Sequence, residues 1–384
     1  MTTQQAEVIV VGGGTMGTAA GWALAKQGHD VVVLEQFDHV HALGSHGGKT
    51  RIIRHAYAEG ADYVPLVQRA DQLWQELEVA TGTRFLTRTG CLDIAAPGFS
   101  QARAARESAI RHNLPHEWLT GADVNRRWPA WRLPPDWEVC YSRDAGYLEV
   151  EPALRAMATE LGRHGGRLET QHPVTGVSHT GAECIDVTAG CAFHRGKRAI
   201  VTAGAWSKQI LQELDLPLQV RRKPVFWFDV ADHSLYEPSQ FPVFIAETPE
   251  GEFYGLPTHG EPGIKVGVHS GGHAVPFDKI DTVDRETHPD DYQHDLAPFL
   301  TRCLAGVSGE VVASTVCLYT MTPDEHFLID RHPEDDRIVF GTGFSGHGFK
   351  FAPVIGEHLA ALALDLTVQP YPDFALGRFA TAAR

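Results

Sequence analysis

Lys265 and His269 lie four residues apart in "GIKVGVHSG", and Arg51 and Arg54 three apart in "GSHGGKTRIIRHAYAEG". On one regular strand, residues an even number apart share a face. The lysine and the histidine then point one way, and Ile264, Val266 and Val268 point the other. Two potential cations on one side of a half-buried strand make either a solvent face or the wall of an anion site. Arginine's planar fork matches a carboxylate better than any other side chain. Two solvated arginines on a helix is the alternative, but Ile52, Ile53 and the glycines before them suggest backbone passing close to a ligand. Cys317, in "STVCLYTMTPDEHFLID", raises a third possibility. Buried cysteines are usually small inert apolar residues. Alternation nevertheless puts Cys317 and Tyr319 on one face of a strand that Pro323 ends.

These groups need a scaffold, and the first thirty-odd residues supply part of it. "EVIVVGGGTMGTAAGWALAKQGHDVVVLEQ" opens with a β-branched run, Val8 to Val11, as expected of a central parallel strand buried on both faces. Gly12, Gly14 and Gly17 follow as G-x-G-x-x-G. The first permits a tight turn, the second lets backbone approach a pyrophosphate, and the third lets helix pack on strand. The phosphates would sit at the helix N-terminus, where free N–H groups point at them. Ala19, Ala20, Ala23 and Leu24 continue the helical stripe to Gly28. A second strand, Val31 to Leu34, delivers Glu35 to accept hydrogen bonds from a ribose and to disfavour a 2′-phosphate. Strand, glycines, helix, strand and acid in that order predict a dinucleotide site, although the motif alone does not separate FAD from NAD.

A later segment bears on that choice. "RAIVTAGAWSKQIL" reads as another buried strand running into a glycine and a helix start, preceded by two small alternating strands, "PVTGVSH" and "CIDVTAG". A chain that returns late to add a strand to its nucleotide sheet follows the pattern of glutathione-reductase-like FAD enzymes. That places Val174, Ala203 and Gly204 against the cofactor. "YVPLVQRADQLWQELE" and "EPALRAMATELGRHGG" are amphipathic helices and read as core. From about Leu218 the texture changes to short aromatic or alternating runs broken by Pro and Gly, which read as antiparallel strands. The fold class expected is α/β with two domains. A Rossmann-type FAD-binding domain takes residues 1–85, 145–217 and 321–384, and a mainly antiparallel β-sheet substrate domain takes 86–144 and 218–320.

Composition narrows the partners. The chain has 384 residues, 43% hydrophobic and 21% charged, as in a globular protein large enough for two cores. A formal net charge of −15 argues against nucleic acid and anionic membrane surfaces. Cys91, Cys140, Cys184, Cys191, Cys303 and Cys317 show neither disulfide nor zinc spacing, so no metal is expected and reduced thiols in the cytoplasm are. "VIVVGGG" is too short to span a bilayer, and the C-terminal "FATAAR" carries no peroxisomal tripeptide.

Taken together, the residues resemble the monomeric sarcosine oxidase and N-methyltryptophan oxidase family of the D-amino-acid-oxidase-like flavoenzymes. The likeness runs from "VIVVGGGTMG" to about Leu364. It rests on "GSH" with "TRIIRHAYAEG", "YVPL", "RWP", "FYGLP", K-V-G-x-H, the run around Cys317 and "GFSGHGFKFAPVIGE". The resemblance implies FAD bound covalently through the sulfur of Cys317. It also implies oxidative demethylation of sarcosine or a related N-methyl amino acid, with oxygen as acceptor and peroxide as product. A carboxylate would lie between Arg54 and Lys350, with Tyr254, His269, Tyr319, Ile245 and Gly346 around it. Lys265 takes the place of the lysine that promotes reaction with oxygen, and Arg51 that of a flavin neighbour. Ser45, His46, Thr50 and Gly348 fall among the cofactor contacts, while Phe344 and His347 are expected to serve packing.

Two departures stand out. Gly47 and Lys49 replace a histidine and an aspartate of the family's "GSHHGDTR", which bears on flavin tuning and attachment, and Ile245 stands where sarcosine oxidases have methionine. N-methyl-L-tryptophan and L-pipecolate are the alternative substrates, and a dehydrogenase using an electron carrier is a further one. A non-catalytic FAD-binding subunit is the alternative of a different class. Retention of Arg54, Lys265, His269, Cys317 and Lys350 argues against it. The family is mostly monomeric, so a monomer is expected.

Overall fold

The computed structural model describes residues 3–180, 184–190 and 192–379. Cys191 and the C-terminal residues 380–384, on which two of the expectations above fall, lie outside the described residues. The five described cysteines are free thiols.

The strands Val8–Val11 and Val31–Leu34 are fully buried and pair in parallel at the centre of a six-stranded sheet. Its order is 167–169, 31–34, 8–11, 198–201, 335–342, 328–332, so the late strand Arg198–Val201 lies directly against the first. Period-two alternation splits these strands between two cores. Val8, Val10, Val31 and Val33 face the helices Thr15–Lys26, Val64–Thr81, Val150–Arg163 and Ala352–Leu364. Ile9, Val11, Val32 and Leu34 face Ile185, Val187 and Ala189 of a small four-stranded sheet on the other side. Burial of each such side chain contributes about 1.5–3 kcal/mol, which explains why these strands tolerate no polar residue.

The second core belongs to a larger sheet. Strands 219–230, 264–268, 251–256 and 243–248 are antiparallel neighbours, and 243–248 then pairs in parallel with 91–95. The long strand Val307–Met321 runs antiparallel to Gln219–Val230 and sets Cys317 opposite Lys223. Trp131, Phe228, Phe241, Phe244 and Phe253 fill the space between this sheet and the helix Leu296–Cys303. A three-stranded sheet of 50–53, 146–149 and 86–88 lies between the two halves. Arg51 therefore sits on a strand, and the helical alternative for the two arginines is removed. No described helix is long and apolar enough to cross a membrane.

Candidate active site

Two joined cavities lie between the halves. The larger, of about 340 Å³, runs along the C-terminal ends of the parallel strands, where open α/β sheets bind their ligands. Gly12, Gly14, Glu35, Ser45, His46, Val174, Ala203, Gly204 and Gly348, all expected among the cofactor contacts, line it. Gly17 does not line it but supports it. A Cβ there would meet Gly12 O at 1.8 Å, and one on Gly12 would meet Thr202 O at 2.6 Å. The glycines thus bring backbone together where a pyrophosphate must approach. Gly14 caps the following helix with no side-chain hydrogen bond, leaving its first N–H groups free for an anion. Glu35 Oε1 accepts from Phe37 N at 3.0 Å, which aims the carboxylate at the cleft. The buried His46 Nε2 has no partner among the described residues, and burial pulls this histidine down to about 3. An unfilled donor or acceptor of that kind fits a polar ligand, and the whole cradle fits FAD.

The smaller cavity, about 60 Å³, meets the larger one at Arg51, Tyr319, Gly346 and Phe349. Its wall also includes Thr50, Arg54, Glu59, Ile245, Tyr254, His269, Cys317, His347 and Lys350. Gly346 has φ +80, and a Cβ there would lie 2.1 Å from the Tyr319 ring, so only glycine brings the 343–348 loop this close. Cys317 Sγ lies 3.9 Å from Arg51 Nη2 and 3.3 Å from where a Cβ on Gly47 would stand. The glycine at the family's histidine position therefore leaves the sulfur's flank open. Arg51 is held by the carbonyls of Ser45, Gly47 and Thr50 at 2.6–2.8 Å.

Lys265 is 2% exposed and lines neither cavity. Its Nζ donates to the carbonyls of Gly48 and Thr50, each at 2.6 Å, so the solvent-face reading of this strand is excluded. Burial, and then Arg51, push its pKa well below the ordinary lysine value. His269, just past the strand end, does line the small cavity, and burial lowers it to about 4. It is neutral at physiological pH. Lys223 Nζ, missed in the sequence, donates to the His269 and Ser270 carbonyls at 2.9 and 2.7 Å and fixes this turn.

The cationic clamp has more members than the sequence suggested. Arg54, 1% exposed, is already gripped by Glu59 through Nη2 at 2.8 and 2.6 Å, with Asp93 3.5 Å from Nη1. Burial raises Glu59, but Arg54 beside it prevails and brings it to about 2. Asp93 is pushed up to about 6 by burial, with Arg54 opposing. Lys350 Nζ donates to Tyr57 Oη at 3.2 Å and His347 O at 2.9 Å, and burial draws it down to about 7 although Glu59 opposes. His347 does more than pack, since Nδ1 shares a 2.7 Å hydrogen bond with Tyr57 Oη and Nε2 lies 3.0 Å from Glu325 O. Glu59 had a local signal, an acid five residues after Arg54 in "RHAYAEG". Asp93 had another, an acid in the apolar strand "CLDIA".

Comparisons with known proteins identify the family to which this cradle belongs. The family model described as FAD dependent oxidoreductase covers residues 7–362. The chain belongs to this family. It is 39% identical to monomeric sarcosine oxidase of Bacillus sp. (strain NS-129), over 93% of this chain and 92% of that one. It is 34% identical to N-methyl-L-tryptophan oxidase of Yersinia pestis (strain Pestoides F), over 97% and 99%. Among solved structures, the open form of the Tyr258Phe mutant of NikD, an unusual amino acid oxidase essential for nikkomycin biosynthesis, superposes with a TM-score of 0.84 at 24% identity, covering 97% of each chain. L-proline dehydrogenase from P. horikoshii gives 0.82 at 21%, covering 99% of each. These two bear on the fold alone. As an FAD-dependent oxidoreductase, the protein has the two-domain α/β architecture predicted for it.

Proposed function

We propose that the protein is an oxidase of small N-methyl amino acids, sarcosine foremost, that converts them to the parent amino acid, formaldehyde and hydrogen peroxide. The observation that carries this reading is the small cavity itself. It offers two cationic side chains, Arg54 and Lys350, at one side and apolar walls of Val225, Ile245 and Leu256 at another. A carboxylate held by the Arg54 fork, after Glu59 yields, and by Lys350 would fix the amine beside Tyr319 and Gly346, where the two cavities meet, a positioning effect. The amine must be neutral there, because a protonated nitrogen has no lone pair to stabilise the cation that forms. His269, uncharged at physiological pH, adds no charge beside it. FAD supplies the two-electron oxidation when bound. The substrate loses two electrons and a proton to give an iminium ion, hydrolysis of that ion by water releases a second proton, and oxygen takes up the two electrons and two protons. Lys265 lies behind the Gly48–Thr50 backbone, donating to both carbonyls, in the place of the residue expected to promote oxygen reduction. Cys317 is the proposed attachment atom for the flavin, with Arg51 supplying positive charge beside the sulfur.

The small cavity favours a short side chain over an indole, so N-methyl-L-tryptophan, the substrate named for the second relative, is the less favoured reading. L-pipecolate is the other. A monomer fits the likeness to monomeric sarcosine oxidase, and the free scattered thiols suit a reducing compartment such as the cytoplasm. A peroxide assay over sarcosine, N-methyl-L-alanine, N-methyl-L-tryptophan and L-pipecolate tests the proposal. Sarcosine or N-methyl-L-alanine should give the highest kcat/KM. Preference for the indole substrate, or no peroxide from any, would overturn it.

A further inference from the structure

Away from both cationic groups, three potential ligands converge at the rim of the FAD domain. Glu169 ends the edge strand Arg167–Glu169 of the six-stranded sheet, and His172 follows three residues later. His194 sits in the strand Ala192–Gly196 of the small sheet, paired with Gln4 on one side and Val187 on the other. The carboxylate and two imidazoles each present an atom within 4.8 Å of the others.

His194 is the decisive member. It is 1% exposed, yet neither ring nitrogen has a hydrogen-bond partner among the described residues. A buried polar atom left unpaired is costly, so such a side chain calls for a ligand in the gap. His172 Nδ1 lies 2.7 Å from Thr170 O, a contact that requires the proton on Nδ1 and leaves Nε2 with a bare lone pair. That Nε2 is 3.5 Å from Glu169 Oε2, close to the roughly 3.4 Å between neighbouring ligands of a tetrahedral zinc with bonds near 2.1 Å. Glu169 and His172 are half-buried at a strand end and in a loop, so modest side-chain rotation closes the remaining distance to His194. Arg167 is the nearby opposing cation, and it is engaged with Asp30 Oδ1 at 2.9 Å and Gln5 O at 3.2 Å.

We propose that Glu169, His172 and His194 form a structural site for a divalent transition metal of the zinc class, with water completing the coordination. Two imidazoles and one carboxylate suit zinc rather than magnesium or calcium, which prefer all-oxygen shells. The ion clips the edge of the nucleotide sheet to the small sheet above it. It also pins the segment 170–174, whose His172, Pro173 and Val174 line the large cavity and whose His172 N donates to Glu35 O at 2.8 Å. The site is thus a fastening at the end of the FAD cleft that holds Glu35, remote from the reacting atoms.

The test uses FAD-loaded enzyme stripped with EDTA and freed of chelator, titrated with zinc chloride by calorimetry and followed by thermal unfolding. One zinc per chain with Kd tighter than ~10 µM, together with a raised Tm, is expected. Glu169→Gln and His194→Gln should each weaken that binding at least about tenfold and abolish the rise in Tm. Their Tm in EDTA reports whether each variant still folds, and Glu169, at the half-buried rim, provides the test if the buried His194 variant does not. Kd weaker than ~10 µM, or tight binding unchanged in Glu169→Gln, would overturn the site. So would crystals grown with zinc that place no anomalous peak among the three side chains.

Discussion

Raising pH from 6 to 9 should progressively release carboxylates from the small cavity, through one lysine. Lys350 is drawn down to about 7 by burial, and among the described residues its Nζ is satisfied only by Tyr57 Oη and His347 O. The protonated form is the one that binds an anion. Affinity should therefore hold a plateau below pH 7 and fall by the factor 1 + 10^(pH − pKa) above it, about elevenfold at pH 8 and about a hundredfold at pH 9. A hundredfold is about 2.7 kcal/mol. Two charges 4 Å apart at an effective dielectric of 20 interact by about 4 kcal/mol, so the lost attraction is large enough to sustain the fall. Propionate is a suitable probe because it has no amine to titrate and no N-methyl group to oxidise. Its dissociation constant can be read from the change in flavin absorbance.

Several other groups around the pocket keep one charge state across this range. Burial keeps His269 and His347 at about 4 and 3, so both are neutral throughout the range. Tyr57 is pushed well above the ordinary tyrosine value and Arg54 stays charged. Three groups titrate in or near this window: burial raises Asp93 to about 6 although Arg54 opposes, burial and then Arg221 lower Lys223, over the Tyr319 ring, to about 8, and Glu252 is the third. Burial, then Glu59, raise it to about 7, so it gains negative charge in the same window and would also repel the probe. Glu252→Gln should keep most of the pH dependence, and Lys350→Met should flatten it. A wild-type constant that does not change from pH 6 to 9, or a slope surviving in Lys350→Met, refutes the reasoning.

Lys265→Met should slow reoxidation of the reduced enzyme by oxygen by about 10²-fold or more, the scale set by removing one preorganised electrostatic group. Anaerobic reduction by substrate should change little in stopped-flow traces, and a collapse of reduction instead would refute the assignment. Acid precipitation of wild-type enzyme should leave flavin in the pellet, whereas Cys317→Ser should release it to the supernatant. Yellow pellets from both would remove Cys317 as the attachment atom. Gly17→Ala places a methyl 1.8 Å from Gly12 O and should yield protein lacking the 450 nm flavin band. Trp74→Ala removes a fully buried indole that stacks on Phe349 and donates to Lys350 O at 2.9 Å. It should lower stability by about 3–5 kcal/mol in denaturant titration and weaken propionate binding.

The nucleotide half of the fold was legible because its signals are local. Val8 to Glu35 carries a buried strand, three glycines, a helix and an acid within one continuous stretch, and each follows from sterics or hydrogen bonding over a few residues. Even the late strand at 198–201 announced itself by β-branched residues before a glycine. The larger sheet was legible only as texture. Alternation marks strands, but it cannot say that 243–248 pairs in parallel with 91–95 across about 150 residues, since that partner is chosen by packing of both sheet faces.

The site divides along the same line, and the division explains which residues escaped notice. Arg54 and Lys350 were visible as cations in apolar surroundings, but the charge they present to a ligand depends on neighbours the sequence does not rank. Glu59 closes on Arg54 through a turn, Asp93 reaches it from another sheet, and Tyr57 ties Lys350 to His347 across 290 residues. Arg54 keeps its charge at every working pH because two acids answer it, whereas Lys350 has no carboxylate bonded to it among the described residues and sits near the point of losing its proton. One half of the clamp is therefore fixed and the other titrates. An incoming carboxylate has to displace Glu59 from the fixed half, so removing that competitor and neutralising Lys350 should move ligand affinity in opposite directions. Glu59→Gln should tighten propionate at pH 6 when measured in a Lys350→Met background, which removes the support that Glu59 gives to the Lys350 proton. Weaker binding there would mean that Glu59 holds Arg54 in place for the ligand and does not compete with it.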